Sequence, residues 1–237
     1  MTTGSDLTRT IMIVDAGHGV GPALTSLLAD RGFEVIAWTR DGNAPPPSKT
    51  TGSIRHIHAP GIAAMDAGLL SSTSAVIFNA SALDEAGLIA GGRLADAIAA
   101  DAAFFLQSLQ TISRIMIENG RGQVWILAPD DSFAYYLPLP SAPITHHTRI
   151  GAIRALAKEL ARFGVCANAA ILQPCRETVE ASAWQEARAG VGSYAQKFKP
   201  VPLADVADTL AFWLARDTLP MNGSVVHFGN GVYDGNH

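Results

Sequence analysis

The segment Ile11 to Arg40, IMIVDAGHGVGPALTSLLADRGFEVIAWTR, constrains the fold more than any other part of the chain. An apolar β-type run, Ile11 to Val14, enters three closely spaced glycines, Gly17, Gly19 and Gly21. An amphipathic helical pattern beginning at Pro22 and a second β-type run follow. That order reads as strand, turn, helix and parallel strand, the opening of a dinucleotide-binding half. Glycines let the backbone turn sharply and approach a phosphate, and the next helix aims its N–H groups and positive dipole end at that phosphate. The predicted cradle is Gly17, His18, Gly19, Val20 and Gly21. The same glycines could instead serve only to pack helix against sheet.

The alternation continues through the chain. Strand-like runs fall at 11–15, 34–39, 53–58, 73–79, 122–128, 166–171 and 224–228, with helical patterns between most of them. Such alternation predicts one doubly wound α/β domain over residues 1–237, a Rossmann-like parallel sheet of seven strands in the order 3-2-1-4-5-6-7. The polar start, residues 1–10, is expected to be flexible. Prolines in GNAPPPSKTTG (Gly42 to Gly52) suppress a helix between the second and third strands. Residues 177–200, with weaker patterning, are a candidate substrate lid. Hydrophobic residues make up 48% of the chain against 16% charged, which requires a sheet covered on both faces or a subunit interface. The net charge of -4 without a basic block argues against nucleic acid. No apolar stretch is long enough to span a membrane. Two cysteines and no signal-peptide pattern predict a cytoplasmic protein.

Several later motifs, in order, resemble the short-chain dehydrogenase/reductase family. VIFNAS (Val76 to Ser81) is similar to its fourth-strand Asn-Asn-Ala-Gly motif, keeping Asn79 and Ala80. GAIRALAKELARFGVCANAAI (Gly151 to Ile171) resembles the long active-site helix running into the sixth strand. LADVADTLAFWLARDTLPMNGSVVHFGNG (Leu203 to Gly231) resembles the last helix and strand. The resemblance implies a nicotinamide cofactor, here NADP(H) ahead of NAD(H), because Arg40 stands where a guanidinium would meet a 2′-phosphate.

The family's proton machinery is missing. Counting from the helix motif, its Tyr falls on Ala142 and its Lys on His146. Its Ser falls on Pro129 or Ala128, and its Asn on Asp101. The cofactor motifs change too: Val14-Asp15 replaces Thr-Gly, Ala59-Pro60 takes the place of an acidic residue, and Leu172-Gln173 stands for Pro-Gly. A carboxylate at Asp15 would repel a diphosphate unless paired or protonated.

A substitute site can be assembled from Ala128 to Arg149, which holds Asp130, Asp131, Ser132, Tyr135, Tyr136, His146 and His147. The candidate catalytic residues are His146 as acid or base, Tyr136 as phenol, Ser132 and Asp101. A Ser132–His147–Asp131 hydrolase lacks a nucleophile elbow. His56 and His58 have no suitably spaced third ligand, so no metal is expected. Three readings follow: an NADP(H)-dependent oxidoreductase of atypical site acting on a small carbonyl or hydroxyl compound; a silent subunit or ligand sensor paired with an active paralogue; and a non-redox enzyme using His146. Apolar residues on the helices at 95–118 and 144–163 (Phe104, Phe105, Leu109, Ile112, Ile150, Ile153, Leu156) exceed what one helix face buries against a sheet. They predict a homo-dimer, homo-tetramer or hetero-oligomer.

Overall fold

β-Branched and aliphatic runs form a seven-stranded sheet in the computed structural model, which describes residues 8–40, 50–131, 141–191 and 200–229. The strands are β1 (Thr10–Val14), β2 (Glu34–Thr39), β3 (Ile54–His58), β4 (Thr73–Phe78), β5 (Gly122–Pro129), β6 (Val165–Leu172) and β7 (Val225–Phe228). Their order is β3-β2-β1-β4-β5-β6-β7. Every pairing is parallel. This is the predicted single α/β domain, and the strand boundaries agree with the sequence reading to within a residue or two. Residues 1–7 and most of the proline-rich segment lie outside the described residues. So do 192–199, within the candidate lid.

Side-chain alternation sends successive residues of each strand into opposite cores. Met12 and Val14 join Trp38, Phe78 and Ile126 on one face. Ile11 and Ile13 join Ala37, Ile77 and Leu127 on the other. The first face is covered by α4 (Leu94–Glu118) and α5 (Pro143–Ala161). The second is covered by α1 (Gly21–Asp30) and α7 (Leu203–Leu214). Short helices α2 (Ala67–Ser72) and α3 (Glu85–Ala90) precede β4 and α4, and α6 (Ala181–Val191) follows β6.

Burial changes the account of the two long helices. Phe105, Leu109, Ile112, Ile150 and Ile153 are all buried within this one chain, because α4 packs on α5 as well as on the sheet. The apolar surplus read from the sequence is therefore largely absorbed internally. Among the described residues of these helices, Leu106 and Ile144 are the large aliphatic side chains left about half exposed.

The start of α5 is pinned from another element. Pro143 occupies the first helical turn, where a missing N–H costs nothing. Buried Glu85, at the head of α3, accepts from the Ile144 and Thr145 backbone N–H groups and from Thr145 Oγ1 at 2.9–3.0 Å. The Glu85 N–H in turn donates to the Ser141 carbonyl. A carboxylate at a helix N-terminus satisfies orphan donors and opposes the positive dipole end.

Replacing Glu85 with Ala strands those donors in a buried setting. The expected loss is about 2–3 kcal/mol, a drop of roughly 4–12 °C in Tm for a chain of this size. Glu85→Gln, which keeps one acceptor oxygen, should recover part of it in the same thermal melt.

Candidate functional site

The strand order reverses direction at β1 and β4, and in open parallel sheets the crevice beyond the strand ends opens at such a switch point. A cavity of about 300 Å³ lies there. Its wall combines the glycine turn (His18, Gly19, Val20), the residues after β4 (Ala80, Ser81), the end of β5 (Leu127 to Asp131) and the segment after β6 (Leu172 to Cys175, with Thr178). Thr178 belongs to the candidate lid, so the start of that segment does contribute to the wall.

The turn has the geometry its glycines promise. Gly19 has φ +56°, and the space a Cβ would take is open. Gly21 is the close-packing position: a Cβ there would lie 2.7 Å from the Ala16 carbonyl and 2.8 Å from Asn79 Nδ2. Asn79, wholly buried, donates through Nδ2 to the Asp15 and His18 carbonyls and so ties the turn to the end of β4. Its Oδ1 is buried without a hydrogen-bond partner among the described residues.

Beside the turn runs a chain of alternating charges. Asp15, at φ 58° in a conformation Asp tolerates better than most residues, accepts from Arg40 Nε and Nη2 at 2.6 Å each. Arg40 Nη2 also lies 3.8 Å from Asp101 Oδ1, and the guanidinium sits 4.0 Å from the centre of the Phe104 ring. Asp101 in turn receives Nε and Nη2 of buried Arg149 at 2.8–3.2 Å. Arg149 Nη1 donates to the Asn79 carbonyl at 2.9 Å. Arg40, expected as an uncommitted anchor for a 2′-phosphate, thus spends one edge on Asp15. The repulsion expected of Asp15 toward a diphosphate is offset by the same contact.

Two of the positions counted onto the family's proton machinery lie inside the protein. Ala142 caps α5 and is 0% exposed, and His146 is 1% exposed. The His146 Nε2 accepts from the Ser81 backbone N–H at 3.1 Å. The ring proton therefore sits on Nδ1, which faces Asp131 Oδ2 at 3.4 Å. Asp131 lines the cavity, whereas His146 lies behind that wall. Asp101 is committed to its two arginines and to Ser81 Oγ, 3.4 Å away. Ser132, Tyr135 and Tyr136 lie outside the described residues. His147 is exposed, its Nδ1 paired with the Pro143 carbonyl at 2.8 Å.

Glu85, Ser81, Thr178 and Arg149 were not singled out from the sequence. Arg149 left a signal: it falls on the same α5 stripe as Ile153, Ala157 and Leu160, and a cation on a buried stripe needs a buried anion. Cys175 is buried. That burial, with the nearby Glu177 carboxylate adding to it, pushes its thiol up to about 12. His56 and His58 are exposed on edge strand β3, and no group of three metal-ligating side chains gathers among the described residues. No helix among them is long and apolar enough to cross a membrane.

A nicotinamide dinucleotide fits part of this site. The glycine turn and the start of α1 would hold its diphosphate, and the adjoining cavity has room for the nicotinamide ring. The orphaned Asn79 Oδ1 shows that polar capacity beside the turn is not exhausted within the described residues.

No family profile matches the chain and no curated protein matches it. Solved structures do. A protein described as an NAD(P)-dependent gluconate 5-dehydrogenase from Beutenbergia cavernae, with NADP at low occupancy, is 21% identical. The match covers 94% of this chain and 96% of that one, with a TM-score of 0.67. A short-chain type dehydrogenase/reductase from Mycobacterium ulcerans is 16% identical, with coverage of 93% and 89% and a TM-score of 0.67. An actinorhodin polyketide ketoreductase variant with NADPH is 14% identical, with coverage of 94% and 97% and a TM-score of 0.67. At these identities the likeness establishes the fold.

Two expectations follow from the geometry. Breaking the buried pair with Arg149→Met leaves Asp101 short of its main partner and should cost about 3–5 kcal/mol in urea unfolding. Cys175 holds its proton more tightly folded than unfolded, so its contribution to stability is intact below the ordinary thiol range and fades as pH rises toward about 12. In a Cys166→Ser background, a thiol-exchange reagent at about pH 8 should label the native protein at least roughly a hundred-fold more slowly than the urea-unfolded chain.

Proposed function

We propose that this chain, which has the fold of the short-chain dehydrogenases/reductases, is an oxidoreductase that binds a nicotinamide dinucleotide across the glycine turn and acts on a small carbonyl or hydroxyl compound. The observation that carries the reading is the shared wall of the cavity: residues of the phosphate-type turn and the ends of β4, β5 and β6 enclose one space. Bound there, the nicotinamide would supply or accept a hydride. The rest falls to the chain's own residues. Gly19 and Val20 present backbone to the diphosphate at the head of α1. Leu127, Ala128, Leu172 and Pro174 form an apolar wall that excludes water and suits a compact, largely apolar substrate. Ser81 and Thr178 border the same space.

Arg40 makes the finer choice of cofactor a modest one. Its Nε and Nη2 are held by Asp15, and Nη1 is outside that pair. A single charge-assisted contact to a 2′-phosphate is worth about 1.5 kcal/mol, so NADP(H) should bind roughly tenfold better than NAD(H). The burial of Ala142 and His146 favours a second reading, in which the same pocket senses a ligand without turnover.

Saturating NADP⁺ should raise the Tm and quench with a measurable affinity, NAD⁺ more weakly. Arg40→Ala should abolish the difference between the two nucleotides while lowering the Tm of the ligand-free chain, since Asp15 loses its partner. Absence of any nucleotide-dependent shift would overturn the reading. Nucleotide binding without turnover of any carbonyl would favour the sensor.

A further inference from the structure

We infer that Asp131 is the residue that exchanges a proton with the substrate, and that His146 is its positioning residue; the inference rests on the oxidoreductase reading above. The geometry that carries it is a carboxylate fixed at the cavity wall by two donors from outside the cavity. Asp131 Oδ1 accepts from Ser141 Oγ at 2.9 Å, and Oδ2 faces the Nδ1–H of His146 at 3.4 Å. The His146 ring cannot turn away, because its Nε2 is held by the backbone N–H of Ser81, itself a cavity residue. The imidazole is 1% exposed and lies behind the wall that Asp131 and Ser81 form. The carboxylate side chain is 17% exposed, which leaves it a route to solvent.

Other groups on the wall are less suited to the task. Ala128 and Pro129 carry no proton to give. Cys175 is buried and strongly protonated. His18 belongs to the turn that would hold the diphosphate. Thr178 Oγ1 donates to the Cys175 carbonyl at 3.0 Å. Among the described residues, the charged and titratable groups that share the cavity wall with Asp131 are Asp130, His18 from the glycine turn and Cys175 from the segment after β6, with His146 of α5 behind the wall and Asp101 and Arg149 beyond Ser81.

The step balances. In the reducing direction the carbonyl carbon gains a hydride from the reduced nicotinamide, and the C=O π electrons move to oxygen. The Asp131 carboxylic acid O–H breaks as its proton bonds to that oxygen. The products are an alcohol, the oxidised nucleotide and an Asp131 carboxylate, which the Ser141 hydroxyl and His146 Nδ1–H stabilise. Solvent returns the proton. The 3.4 Å separation is at the long end for a hydrogen bond, as such contacts often are before substrate is bound.

NADPH oxidation with benzaldehyde, cyclohexanone and diacetyl tests the assignment, with NADPH affinity measured separately by fluorescence quenching. The wild type should turn over at least one probe. Asp131→Asn keeps the shape and the Ser141 contact; it should lower kcat about 100-fold or more and leave NADPH affinity unchanged. Asp131→Glu should restore part of kcat, which distinguishes a lost proton carrier from a damaged fold. His146→Gln should lower kcat less than Asp131→Asn, with KM and NADPH affinity little changed. Asp131→Asn turnover equal to the wild type would overturn the assignment. So would a wild type that binds NADPH yet reduces none of the probes. A chain that does not bind NADPH at all would instead overturn the reading on which the inference rests.

Discussion

The contact between Arg149 and Asp101 is the point on which the site is hung. Both side chains are almost fully buried, and neither could be there alone, because an isolated charge in such a setting costs far more than the pair returns. Arg149 comes from α5, Asp101 from α4, and the guanidinium also holds the carbonyl at the end of β4. Through Arg40 and Asp15 the same alternation reaches the ends of β2 and β1. Five elements thus meet in a sequence of opposite charges. Each carboxylate has a guanidinium lying on it, and each guanidinium has its direction set by the next carboxylate.

That arrangement also fixes the helix that frames the site. The long helix α5 is located by Glu85 at its start, by His146 one turn in, and by Arg149 one turn later. Glu85 grips the helix from outside, and His146 and Arg149 each grip a residue outside it. Ala142 and His146 are withdrawn into the interior. What remains at the cavity is carried by the end of β5 and by Ser81 after β4. The walls around it are mostly aliphatic.

The sheet was legible in the sequence because parallel strands buried on both faces read as apolar runs bounded by turn residues, and Ile11–Val14, Val35–Trp38 and Val124–Leu127 all do so. The glycine turn was legible for the same reason, since strand and helix flank it at fixed distance. The charge chain was only half visible. Asp15 and Arg40 were each noticed, but nothing local says that residues 25 apart will pair rather than face a ligand. Arg149 and Glu85 act across 48 and about 60 residues respectively, and such partners are set by how helices pack, not by spacing. His146 shows the limit most clearly: counting along the chain set it at the family's lysine position, but nothing in the spacing says that its Nε2 will be held by the Ser81 amide and its Nδ1 will face Asp131, behind the cavity wall.

The exclusively parallel pairing also bears on the order in which the molecule comes into being. No pair of neighbouring strands is joined by a tight hairpin, so every pairing needs a crossover to be laid down first. The central one, with Ile11 beside Ala75 and Val14 beside Phe78, joins segments more than sixty residues apart. Loop-closure entropy makes such long-range contacts slow to form. Asn79, which follows directly after Phe78 and grips the turn through its amide, cannot reach its partners until that late pairing exists. The phosphate-type turn is therefore among the last features to acquire its shape. A ligand held there would act as a clamp on the finished chain alone, slowing its unfolding without speeding its assembly.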